Sequence, residues 1–222
     1  MDAAKIIAGW KHRLTEMAAN SPYVFRDTPD DLIEQFKQKK TLFIGWSDRE
    51  ISSAEAELGI AFPTVFRQYL LEMGKSNGDL FCGSECAEID EFEKYQMTAL
   101  RMLDPDLSLP RHAVVFMTHQ GYTFLYFEAK GGFDAPIMQW IERERAPKQV
   151  SPGFCELVNA ELGLAESNHK YLHEKGGQFV TLSRSGGSTW WSPSSGKRPL
   201  DWAKRVGADS RSKSGQHQND GH

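Results

Sequence analysis

Two groups of residues in this chain have types and spacings that could do chemistry: a cysteine pair with histidines downstream, and a run of carboxylates. Cys82 and Cys86 are spaced C-x3-C. A structural zinc site needs four ligands, usually with tighter paired spacings, so His112 and His119 would have to complete it. Both histidines fall on or beside a predicted strand. The plainer reading makes Cys82 a small strand residue and Cys86 the start of a helix, and no metal or cofactor is expected. His169 and His173, among the seven histidines, are four apart and would share a helix face, yet no H-E-x-x-H pattern is present. G-x-S-x-G, P-loop and G-x-G-x-x-G patterns are also missing. Gly186-Gly187 in RSGGSTWW reads by composition as a flexible joint. No catalytic residue is expected, and the chain does not read as an enzyme.

The carboxylates are Glu85, Glu88, Asp90, Glu91 and Glu93, five acids within nine residues around the start of a predicted helix. Acids at a helix N-terminus favour its dipole by roughly 0.3–1 kcal/mol each when exposed. One or two would meet that need. Five also repel one another unless a basic partner arrives, so two readings stand: a solvated helix start, and a partner-binding face. Tyr95, Trp46 and Trp140 could anchor an interface, since aromatics are common hot spots, although Trp46 and Trp140 sit where core residues are expected. Near the C-terminus, Trp190, Trp191 and Trp202 lie among Lys197, Arg198, Lys204 and Arg205. That mixture could stack on single-stranded nucleic acid. The reading preferred here is that the tryptophans pack on the body, without a nucleic-acid partner.

Composition bounds these readings. The 222 residues suffice for one domain with a sizeable core and a tail. Hydrophobic content of 40% and charged content of 25% are ordinary for a soluble globular protein. No stretch reaches the roughly 18 apolar residues of a membrane helix, and residues 1–20 show no secretory pattern. Three cysteines are too few for a disulfide framework, which points to a reducing cytoplasm. The net charge of −4 is uneven. Residues 1–165 hold 17 Lys and Arg against 25 Asp and Glu, net −8; residues 166–222 hold 9 against 5, net +4. An acidic body steers basic partners toward itself.

The elements that must position the carboxylates are organised around residues 47–78. Ser47 with Glu50 three residues later fits a capping box, and Ile51, Ala54 and Leu58 then share a helix face. Gly59 closes that helix, and Pro63 opens a second. Phe62, Phe66, Tyr69, Leu70 and Met73 form its apolar stripe, with Gly74 and Asn77-Gly78 ending it. Before this pair, residues 2–19 and 30–39 read as helices. Residues 41–46 read as a strand. After it, residues 79–83 suggest a short strand and residues 86–103 a helix with Ile89, Phe92, Ala99, Leu100 and Leu103 inward. Residues 113–117 and 122–127 are the clearest strands, joined by a turn at His119-Gln120-Gly121. Residues 136–141 give another strand, and a helix from Ser151-Pro152 ends at Gly163. Residues 165–175 could be helical and residues 178–182 an edge strand. From about residue 183 the composition cannot bury much, so mobility is expected there. The order argues for α+β: a twisted, mostly antiparallel sheet with helices packed against it.

Ile51, Glu55, Leu58-Gly59, Pro63, Tyr69-Leu70 and Asn77-Gly78 together resemble the signature of the SUKH superfamily, I-x3-E-x2-L-G-x3-P followed by a helix ending near N-G. That superfamily includes the fungal Smi/Knr cell-wall regulators and many bacterial immunity proteins. The resemblance covers about residues 42–162. It implies a SUKH-like domain over residues 1–164, with N-terminal helices at 2–39 and a C-terminal extension at 165–222. It further implies a non-catalytic protein-binding module: an immunity protein that occludes a bacterial polymorphic or contact-dependent toxin, such as a nuclease. A regulatory scaffold like the fungal relatives is the alternative. A nuclease's phosphate-binding surface is basic, so the partner expected for the acids at 85–93 is a basic toxin domain. Two features depart from the pattern: Glu128 stands where many relatives carry aspartate, and the extension has no counterpart in the compact family.

Overall fold

The computed structural model describes residues 2–103, 106–184 and 188–191. The chain opens with α1 (Ala3–Ala19), β1 (Tyr23–Phe25), α2 (Asp30–Lys40) and β2 (Phe43–Ile44). The helix pair α3 (Asp48–Leu58) and α4 (Thr64–Met73) follows, then β3 (Ser76–Asn77) and β4 (Glu85–Cys86). A 3-10 turn (Ile89–Glu91) leads into α5 (Phe92–Met102). Four strands come next: β5 (Ala113–His119), β6 (Thr123–Glu128), β7 (Ile137–Ile141) and β8 (Lys148–Ser151). The long α6 (Phe154–Glu174), β9 (Gln178–Leu182) and β10 (Ser188–Trp191) complete the described chain.

The main sheet has five strands in the order β4-β5-β6-β7-β8, every neighbouring pair antiparallel. With six helices among the described residues, the fold is α+β. β5 is buried along its whole length and β6 nearly so, because both faces of the sheet are covered. On one face Val114, Phe116, Leu125, Phe127 and Ile137 join the core formed with α1, α4 and α6. On the other, Val115, Phe124, Tyr126 and Trp140 pack with Ala99 and Leu103 around α5. Successive β5 residues alternate between the two layers until a bulge between Val115 and Met117, after which Phe116 and Met117 both join the first core. Phe66 sits at the centre of the first core, with ring contacts to Phe62, Tyr69, Phe92, Phe116, Phe127 and Phe154, the closest at 4.7 Å.

The helix pair forms as its sequence predicts. Ser47 and Glu50 make the reciprocal capping box, and Gly59 takes the left-handed conformation at φ 63° that closes α3. All five residues of the α4 stripe are buried. Elsewhere the structure corrects the expectations. Residues 79–83 are turns, since Phe81 and Gly83 have φ of 58° and 87°, which no strand tolerates. The predicted strand at 41–46 shrinks to the two residues of β2. The helix predicted from residue 86 begins only at the 3-10 turn, because Glu85 and Cys86 pair with Thr118 and Met117 at the sheet edge. Leu100, expected inward, is exposed.

Gly163 does not end a helix. α6 runs 21 residues straight through it, with Ser167 Oγ donating to the Gly163 carbonyl at 2.8 Å. A mid-helix glycine costs about 1 kcal/mol, less than the burial of Leu157, Val158 and Leu162 on the same helix returns. The division expected at residue 164 therefore falls inside an unbroken helix. β8 had no counterpart among the predicted strands. β9 pairs parallel with β1 and antiparallel with the backbone of β10. Residues 188–191, within the stretch expected to be mobile, are thus a paired strand; for residues 192–222 that expectation lies outside the described residues.

Candidate functional site

The cysteines and histidines do not converge. Cys82 lies exposed on the turn, Cys86 in β4, and Cys155 buried in the first turn of α6; all are free thiols. Among the described residues, no group of three or more His, Cys, Asp or Glu could hold a metal ion. Burial pushes the Cys86 thiol up to about 12. Burial and then Asp134 do the same to Cys155, also to about 12. Cys82 is raised as well, by burial and then by Asp79. Thiols held protonated in this way are poor nucleophiles. His119 ends β5 and its Nδ1 stands 3.4 Å from Ser84 Oγ. His169 and His173 do share α6, where they meet the N-terminal segment: His173 Nε2 hydrogen-bonds the Asn20 carbonyl at 2.8 Å, and His169 stacks edge-on against Tyr23. Two small cavities hold about 10 and 30 Å³, the larger bounded by Leu58, Phe92, Gln96 and Arg111. That is room for water, whereas a bound metabolite needs roughly 300–1,000 Å³.

The acidic run is assembled differently. Glu85 is carried by β4, Glu88 precedes the 3-10 turn that contains Asp90 and Glu91, and Glu93 lies in the first turn of α5. Ile89 and Phe92 are buried between them and pin the segment to the core. Glu85, Glu88, Asp90 and Glu93 are exposed. Among the described residues these four form no ion pair, while Glu91 binds Lys94 at 2.5 Å. That hydrogen bond is the main cause of the lowered Glu91 carboxyl and the raised Lys94 ammonium. Glu85 and Asp90 raise Lys94 slightly further through space. The Tyr95 phenol is pushed up to about 12 by its burial and then by Glu91 and Glu85. Neither Glu88 nor Glu91, the residues preceding the 3-10 turn and α5, makes a side-chain cap to its helix. Asp90, Glu91 and Glu93 nonetheless lie in the first turns of these helices, where acids favour the dipole, whereas Glu85 and Glu88 lie before them.

Trp140 is a core residue, stacked on Phe124 at 5.3 Å. Trp46 is half-buried beneath the Lys75 ammonium, which lies 4.2 Å from its ring centre. Neither offers its ring as an open anchor. Met97 had no place in the sequence reading, yet it is 48% exposed one turn from Leu100 at 41%. Its position off the inward stripe of α5 was the available signal.

The elbow between α3 and α4 explains why this surface stands where it does. Glu55 Oε1 accepts the Phe62 N–H at 2.8 Å and Oε2 accepts Arg67 Nε at 3.2 Å. Arg67 also donates to Asp48 at 2.9 Å and Ser52 at 3.0 Å. Ile51 is fully buried, and Asn77 Nδ2 donates to Tyr69 Oη at 3.3 Å. Gly78, at φ 68°, lies so close to the Lys40 carbonyl that a Cβ would meet it at 2.6 Å. The residues of the motif thus build the scaffold from which the chain emerges toward β4 and the acids.

No curated protein matches the chain. The model of the SMI1 / KNR4 family (SUKH-1) matches residues 45–160, a stretch that takes in the α3–α4 elbow, the acidic run and the five-stranded sheet. Because that match spans more than half of the 222 residues, the chain belongs to the SMI1 / KNR4 family (SUKH-1).

Proposed function

We propose that this protein is a non-catalytic binding module of the cytoplasm, an immunity protein that occludes a basic bacterial toxin domain through the face formed by Glu85, Glu88, Asp90, Glu91 and Glu93. Membership of the family supports the class, since it includes immunity proteins. The observation that carries the reading is that four of the five acids stand exposed and, among the described residues, without ion pairs. Such an arrangement is self-repelling until a cation-bearing surface covers it. Among the described residues no helix is long and apolar enough to cross a membrane. Inhibition would be stoichiometric, with the acids steering encounter and the buried contact excluding the toxin's substrate.

The test is association kinetics with the toxin domain encoded beside this gene, at low and high salt. Charges on one surface mainly raise the on-rate, and salt screens them over roughly 8 Å at physiological ionic strength. Reversal of Glu88, Asp90 and Glu91 to lysine is expected to slow association at least tenfold at low salt, on the order of the range known for steered complexes. The fold should survive, because Ile89 and Phe92 keep their buried contacts. An unchanged on-rate, with wild-type binding indifferent to salt, would leave the face a solvated one.

A further inference from the structure

We propose that the outward stripe of α5, centred on Met97 and Leu100, is the apolar anchor of this interface, and that it takes a basic protein whose contact face carries an exposed apolar patch. The proposal rests on the acidic-face reading and adds the group that would hold the complex together. A helix turns about 100° per residue, so Phe92, Ala99 and Leu103 point to the sheet while Glu93, Met97 and Leu100 share one outward stripe. Single exposed apolar side chains are ordinary. Here two large ones stand one turn apart, on the helix that continues directly from the acidic run. The inward face of α5 is already complete in the second core without them.

An apolar centre with a charged rim is the anatomy of specific interfaces. Rim charges mainly set the on-rate, whereas a desolvated apolar centre sets the off-rate. The charge pattern also orients the partner. Acids lie at the N-terminal end of the stripe, and Glu93 is on it one turn before Met97. Arg111 and His112 border the small cavity beside Gln96 on the sheet-facing side, and Arg101 is exposed toward the C-terminal end. The partner's lysines and arginines therefore face residues 85–93, and its apolar patch covers Met97 and Leu100.

The chemistry can be tested on the full chain with two synthetic probes: an amphipathic helix of leucine and lysine, and an oligolysine of the same charge. Wild-type protein is expected to bind the amphipathic helix more tightly. The double variant M97S/L100S should lose about tenfold in affinity for the amphipathic helix and nothing for oligolysine. E88K/D90K/E91K should weaken both probes and abolish the salt dependence. L42S/I44S removes another exposed apolar pair, on and beside β2, and should change neither. Thermal unfolding checks that each variant folds, and the milder Met97→Gln should give the same direction as the double variant. If M97S/L100S binds the amphipathic helix as wild type does, or if L42S/I44S weakens it equally, the anchor is wrong and the acidic-face reading stands alone. If neither probe binds the wild-type protein, both readings fall together.

Discussion

Glu55 shows how one carboxylate can fix the relation of two helices. It satisfies the Phe62 N–H next to a proline that supplies no side-chain cap, and holds Arg67 across the elbow. Removing it as Glu55→Ala leaves a backbone donor and a guanidinium short of partners. The expected loss is about 1–3 kcal/mol in urea denaturation, with Glu55→Gln, which keeps an acceptor, losing less. A second residue governs the response to acid. His169 is lowered from its ordinary value, first by burial and then by the nearby Lys40, with Asp79 opposing and His173 adding to the effect. Folding therefore favours its neutral form. The stability linked to it is complete above its unfolded value of about 6.5 and is lost as pH falls through the lower folded value. Glu72, where burial pulls upward but hydrogen bonds from Lys11 and Gln68 together outweigh it, and Glu166, lowered chiefly by its hydrogen bond from Arg13, add losses only further down, below the carboxylate range near 4.5. Melting temperature followed against pH should show the first decline just below 6.5. In His169→Phe that first decline should vanish while the lower one remains.

The helix pair is the element that the sequence describes most fully, because its signals are local: a capping box, a left-handed glycine and a 3.6-residue stripe. Leu70→Ala tests it directly. Leu70 is 1% exposed between α4 and the core, so its loss should cost about 2–5 kcal/mol in equilibrium unfolding. Where the signals depend on distant partners, they mislead. Gly163 looks like a stop, but α6 is held by side chains on either side of it and by Asp134, whose oxygens accept the Phe154 and Cys155 N–H groups at 2.8 and 3.0 Å from 20 and 21 residues away. β8 carries Lys148 and Gln149 in an edge strand, a polar pair that gives no strand signal until β7 lies beside it. Similarly, Glu85 and Cys86 form a strand only because Thr118 and Met117 provide one to pair with. For the candidate site, the density of acid could be read from the chain. So could the place of Met97 off the inward stripe, but the engagement of Glu91 by Lys94 and the exposure of Leu100 could not, because each depends on which way α5 is turned.

At the scale of the whole molecule, the family match ends well short of the structure that supports it. Residues 45–160 contain neither α1 nor the second half of α6. Yet Ile7, Trp10 and Leu14 are at most 3% exposed and complete the core against α4 and α6. Trp10 meets Phe154 edge-on at 5.9 Å and donates its indole N–H to Asn159 at 3.2 Å. Lys11–Glu72 and Arg13–Glu166 fasten the same helix at its rim, at 2.8 and 2.7 Å. These half-buried rim pairs are open enough to solvent to be worth little by themselves; the buried indole is worth far more. Trp10→Ala should therefore cost about 3–5 kcal/mol, comparable to the whole stability of many small domains, about 5–15 kcal/mol. A fragment of residues 45–160 loses that helix and the other two buried side chains as well. It should fail to give a cooperative thermal transition, whereas the chain from residue 1 to 184 should give one. A cooperative transition from the shorter fragment, at a temperature near that of the longer one, would mean that α1 is an accessory to this core and not a wall of it.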